Sequence, residues 1–157
     1  MSLPGGPISN LIRHRRDLPL LVEAASELVL ASAAINFLPF RRILRRASRD
    51  VSGRALTGAE RLAIGARVKW AVTVCAYRLP WRSLCFPQGL AAQRMLRRRG
   101  IDSIFYYGAR TAEEGMNAHV WVCDEGRSIV GGRVPDDMRV LLQAPPAELA
   151  TALDTAA

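Results

Sequence analysis

At 157 residues, half of them apolar and 23% charged, the chain has the composition of one globular domain able to bury about two-thirds of its unfolded surface, which excludes a disordered protein. Its formal net charge of +8 comes from arginine, with Lys69 the single lysine. That excess favours an acidic partner (a nucleic acid, an anionic membrane surface or an acidic peptide) unless the arginines merely solvate helix faces. Cys75, Cys85 and Cys123 form no C-x-x-C pair, which argues against a disulfide scaffold and suits a reducing, cytoplasmic setting; with only His14 and His119 beside them, no zinc site and no other cofactor is expected.

Residues 1–16 are loose in composition, with Pro4, Gly5, Gly6 and Pro7 near the start. The apolar run that follows resembles a secretory signal, but Glu23 and Glu27 interrupt it four residues apart on one helical face. An amphipathic helix over about Pro19–Phe37 is the better reading, packed on the domain or resting on a membrane surface. Arg41, Arg42, Arg45 and Arg46 recur at helical spacing beyond the break at Pro39. Thr57 and Glu60 then form a T-x-x-E capping box that opens a helix reaching about Tyr77, whose apolar stripe is Leu62, Ile64, Val68, Val72 and Cys75.

Pro80 ends that helix, and Pro87, tolerable only in a first turn, requires the next one to start near Leu84 or Cys85. This basic helix runs to Arg99, with Gly100 as its cap; Arg97, Arg98 and Arg99 complement the negative end of the helix dipole without any ligand. From Ile101 the periodicity changes. "IDSIFYYGAR" is strand-like, and "MNAHVWVC" alternates, so that His119, Trp121 and Cys123 face one way and Ala118, Val120 and Val122 the other. "DEG" at 124–126 is a hairpin turn whose carboxylates are expected in solvent, "RSIVGG" pairs back, and a weak helix is expected from Ala147. Helices followed by an antiparallel sheet define an α+β fold: a helical region over 1–80 packed on a core over 81–157, in one compact domain.

A cysteine in the first turn of a helix meets unsatisfied N–H groups and the positive end of the dipole, which favour a thiolate and are placed to stabilise an oxyanion. Cys85 occupies that position, and His119, on a strand, is the candidate base. A buried structural thiol and a core histidine are the competing reading. Cys75 and Cys123 read as structural thiols, and Trp121 lines a substrate cleft, shields the imidazole from water or fills core.

The ordered set Cys85-x-Pro87, Leu96 to Gly100, Gly108-x-Arg110, Ala118-His119-x-Trp121-Val122 and Gly131-Gly132 resembles the B proteins of lasso-peptide biosynthesis, the transglutaminase-like cysteine leader peptidases. The motifs cover about 81–132, and "LPFRRILRR" before them is similar but less specific. The resemblance implies a transglutaminase/papain-like core and cleavage of the leader from a ribosomally made precursor peptide. Cys85 would be the nucleophile, His119 the base and acid. The new core N-terminus would then pass to a separate ATP-dependent macrolactam synthetase. Nothing in residues 1–80 reads as the winged-helix-like domain that single-chain members carry, so a separate leader-recognition protein is implied, with Arg41–Arg46 a docking segment for that protein, for the synthetase or for acidic leader residues. Neither nucleic acid nor membrane is an expected partner. The family's aspartate on the strand after the histidine has no counterpart in "RSIVGG". Asp136, a backbone carbonyl or a water is left to orient the imidazole. A non-catalytic scaffold joining recognition protein to synthetase is the alternative function.

Overall fold

The structure is a computed structural model and describes residues 17–39, 42–43, 55–80, 85–112 and 115–145. Among the described residues three long helices, α1 (Leu18–Phe37), α2 (Gly58–Arg78) and α3 (Cys85–Arg97), precede four strands, β1 (Ile104–Ala112), β2 (Gly115–Asp124), β3 (Arg127–Val130) and β4 (Arg139–Ala144). The sheet is antiparallel in the order β3-β2-β1-β4, and the α+β architecture is the one expected from the sequence. The segment expected to form a helix from Ala147, and Arg41, Arg45 and Arg46, lie outside the described residues.

Each helix begins and ends for local reasons. Pro19 sits in the first turn of α1, where its missing N–H costs nothing. At the start of α2 the Thr57 hydroxyl accepts from the Glu60 amide at 3.3 Å, and the Glu60 carboxylate accepts from the Thr57 amide at 2.9 Å. These reciprocal bonds satisfy two donors that the first turn would otherwise leave open. At the end of α3, Gly100 takes φ 78. The Ile101 amide donates to Leu96 O at 3.1 Å and the Gly100 amide to Arg97 O at 3.0 Å, a Schellman closure that uses glycine's access to the left-handed region.

Buried alanines at 24, 31 and 34 let α1 approach its neighbours closely, and Leu28, Val68, Val72, Met95, Leu96 and Phe105 complete the core. Leu62 departs from the expected apolar stripe of α2: it is half-exposed beside the β2–β3 hairpin, while Val68 and Val72 are buried. Cys75, in keeping with the expected stripe, packs on the core at 3.3 Å from Leu21 O. Gln93, buried in α3, donates to Ser103 O at 3.2 Å and Ala144 O at 2.9 Å, tying the helix to the residue just before β1 and to the end of β4.

The arginine run at the end of α3 does more than complement a dipole. Arg98 reaches Glu23 at 3.2 Å and also pairs with Glu27, Arg99 reaches Glu23 at 2.5 Å, Arg94 reaches Glu27 at 3.1 Å, and Arg97 reaches Asp102 at 2.7 Å. The two glutamates that interrupt the apolar run of α1 therefore clamp it to α3. By length and composition α1 could cross a membrane, yet its Glu27 is buried against these arginines.

Two further expectations are corrected. Asp124, expected in solvent, is buried at the hairpin and paired with Arg61 of α2. Strand β4 was not anticipated: "RVLLQA" lacks strict alternation, and it is held by its pairing with β1 across a bulge at Tyr107/Gly108.

Candidate active site

Cys85 is the first residue of α3, half-buried and not disulfide-bonded. The next residue, Phe86, packs edge-on against Phe105 and Tyr107 of β1, with ring centroids 5.3 and 6.0 Å apart. One turn on, Gly89 removes a side chain where the helix meets the sheet. A Cβ there would lie 2.4 Å from Val120 Cγ1 and 2.9 Å from Phe105 Cε2. These contacts seat the first turns of α3 on the β1–β2 pair, where Tyr107 opposes Val120 and Gly108 opposes His119.

Strand alternation then sorts β2. Val120 and Val122 face α3, whereas His119 and Trp121 occupy the opposite face with Tyr106. There the indole stacks on Tyr106 (5.4 Å, 11°) and the imidazole on the indole (6.2 Å, 18°). Gly108 makes room for the stack, since a Cβ at that position would sit 2.8 Å from Trp121 Cη2 and 2.8 Å from Arg139 O. Trp121 is almost fully buried, so it covers one side of the imidazole.

His119 Nε2 lies 2.6 Å from the carbonyl oxygen of Gly131. A carbonyl only accepts, so Nε2 must carry the proton and Nδ1 is left with its lone pair as the available base. Gly131 is required by backbone and by space together. Its φ is 104, and a Cβ would fall 2.5 Å from Trp121 Cβ and 2.6 Å from Val120 O. Asp136 lies exposed in a turn, and its neighbour Asp137 faces Arg110 at 3.4 Å. The atom holding the imidazole is thus a backbone oxygen just past β3. Sequence reasoning had no role for Gly131 itself; the signal available was a glycine pair directly after a strand.

The first turns of α3 pack on the Val120 and Val122 face of β2, while His119 projects from the opposite face of the same strand, so the structure does not bring the Cys85 thiol and the imidazole together. It does not join the Cys85 thiol and the imidazole by a hydrogen bond; residues 81–84, which lead into Cys85, lie outside the described residues. Burial pushes the Cys75 and Cys123 thiols above their usual range. Among the described residues no group of three or more His, Cys, Asp or Glu is placed to hold a metal.

The family model of the transglutaminase-like superfamily matches residues 26–143, most of the chain and both its helical and its sheet regions. The chain belongs to that superfamily, whose members include cysteine peptidases and transglutaminases. Comparison with curated proteins and with solved structures returns no match.

Proposed function

We propose that this protein is a cysteine peptidase that removes the leader from a lasso-peptide precursor in the cytoplasm. The observation that carries the reading is the 2.6 Å bond from His119 Nε2 to Gly131 O, which leaves Nδ1 as the available base, with Cys85 at the head of the helix packed on the other face of the same strand. The order of motifs from Cys85 to Gly132 supports the substrate class.

In the proposed reaction the Cys85 proton passes to His119 Nδ1 and the sulfur attacks the scissile carbonyl carbon at the leader–core junction. The oxyanion is stabilised by N–H groups of the first turn of α3. Collapse breaks the C–N bond as the imidazolium gives its proton to the departing amine of the core peptide. Water, deprotonated by the same nitrogen, attacks the thioester and releases the leader carboxylate and the thiol. The Gly131 carbonyl holds the ring in one tautomer, the role an aspartate takes in the related enzymes. The reaction requires the Cys85 thiol and the His119 imidazole, which lie on opposite faces of β2 in this structure, to meet when the peptide binds. A separate leader-recognition protein presents the precursor, and an ATP-dependent macrolactam synthetase takes the core.

The test is mass spectrometry of the precursor incubated with the protein and the recognition protein. Free leader and core are expected with the wild type and neither with Cys85→Ala or His119→Ala. Maturation supported equally by Cys85→Ala would instead favour the scaffold function.

A further inference from the structure

A second concave feature lies away from Cys85 and His119. Between the first half of α2 and the β2–β3 hairpin runs a cleft of about 290 Å³. This is at the lower end of the range for ligand pockets, the size for one or two side chains and not for a large cofactor. Its floor is apolar: Leu62 contributes from α2, and Gly65 brings the helix so close to β3 that an added Cβ would stand 3.3 Å from Ile129 Cδ1. Its charges are unevenly matched. Arg61 is spent on Asp124 and on Glu125 at 3.4 Å. Lys69 and Arg127, exposed at the same cleft, have no ion-pair partner among the described residues. One wall is β3, the edge strand of the sheet, whose outer side has no strand neighbour among the described residues.

From these features we infer that the cleft binds an extended peptide segment carrying an apolar side chain next to a carboxylate. The apolar group covers Leu62 and Ile129, and the carboxylate lies between Lys69 and Arg127, where charge-assisted hydrogen bonds hold it. An extended chain also suits the open edge of β3. From Asp124 at the hairpin to His119 the distance along β2 is on the order of 17 Å, with the cleft on the helix side of the sheet and His119 on the other face. As a precursor-binding exosite the cleft rests on the peptidase reading; peptide binding in the cleft does not.

The test is fluorescence anisotropy on the full chain bearing Cys85→Ala, with a fluorescein-labelled Gly-Leu-Glu-Leu-Glu-Gly peptide as probe. Saturable binding is expected, weakened about tenfold or more when the two glutamates are replaced by glutamine, and by a similar factor in Lys69→Glu/Arg127→Glu. Lys69→Gln/Arg127→Gln, neutral, shorter and still polar, should lose several-fold, and Ala66→Trp, which fills the cleft, should abolish binding with the melting temperature unchanged. No saturable binding, equal affinity for the glutamine peptide, or affinity within twofold of the parent in both charge variants would overturn the inference. Probe binding retained with no Cys85-dependent cleavage would refute the peptidase reading alone; cleavage by the Cys85 form retained with no probe binding would refute the cleft alone.

Discussion

Gly89→Ala separates the placing of Cys85 from the stability of the fold. Alanine is the better helix former by about 1 kcal/mol, so on propensity alone the change stabilises α3. The new methyl, however, would lie 2.4 Å from Val120 Cγ1 and 2.9 Å from Phe105 Cε2, where carbon atoms prefer about 3.5–4.0 Å. Val120 is β-branched and Phe105 fully buried, so neither can move aside cheaply. The helix must retreat by about 1 Å, at an overpacking cost of about 1–3 kcal/mol. Set against the propensity gain, the net destabilisation is about 0–2 kcal/mol by the same two estimates. The same retreat carries Cys85 with it, and a misplacement of about 1 Å is worth about a hundredfold in rate. Peptide cleavage followed by mass spectrometry should show kcat/KM down about a hundredfold, with urea unfolding shifted only slightly. Adding Val120→Ala should restore much of the rate, because it returns the missing space. Gly89→Ala with wild-type kcat/KM would refute the reasoning that this glycine sets the position of the thiol.

Glu27→Ala removes a buried carboxylate facing Arg94 and Arg98. Both arginines keep some solvent, so the loss should be about 3 kcal/mol, at the low end for a broken buried pair, and a urea unfolding shift below about 1 kcal/mol would contradict it. The hydrogen bond from Arg99 holds the Glu23 carboxyl below its ordinary 4.5, outweighing burial, which raises it. Its contribution is therefore complete above pH 4.5 and is lost as pH falls through the lowered folded value. Unfolding midpoints measured from neutral into acid pH should accordingly fall less steeply in Glu23→Gln than in the parent. Burial raises the Cys75 and Cys123 thiols, so brief iodoacetamide treatment at neutral pH should label Cys85 first by peptide mapping, and equal labelling of all three would count against that assignment.

What was legible in the sequence was what local chemistry decides. The Thr57–Glu60 box, the stop at Pro80, Pro87 in a first turn and Gly100 past a helix end each act within a few residues, and the helices begin and end accordingly. The alternation around His119 was equally local, and the pairing of β1 with β2 follows it. What required the third dimension was less accessible. Strand β4 owes its conformation to β1, Leu62 owes its exposure to the cleft beside β3, and Arg98 and Arg99 find partners more than seventy residues away on α1. The support for His119 was hidden for a different reason: a backbone carbonyl has no letter in the sequence, and only its position after β3 identifies Gly131.

Intact-mass spectrometry of the protein quenched in acid during turnover of a lasso-peptide precursor tests the central claim most directly. The account expects a protein population heavier by the leader acyl group, with peptide mapping placing the thioester on Cys85, and no such species in Cys85→Ala. A thioester on Cys75 or Cys123, or leader release by Cys85→Ala at the parent rate, would contradict it.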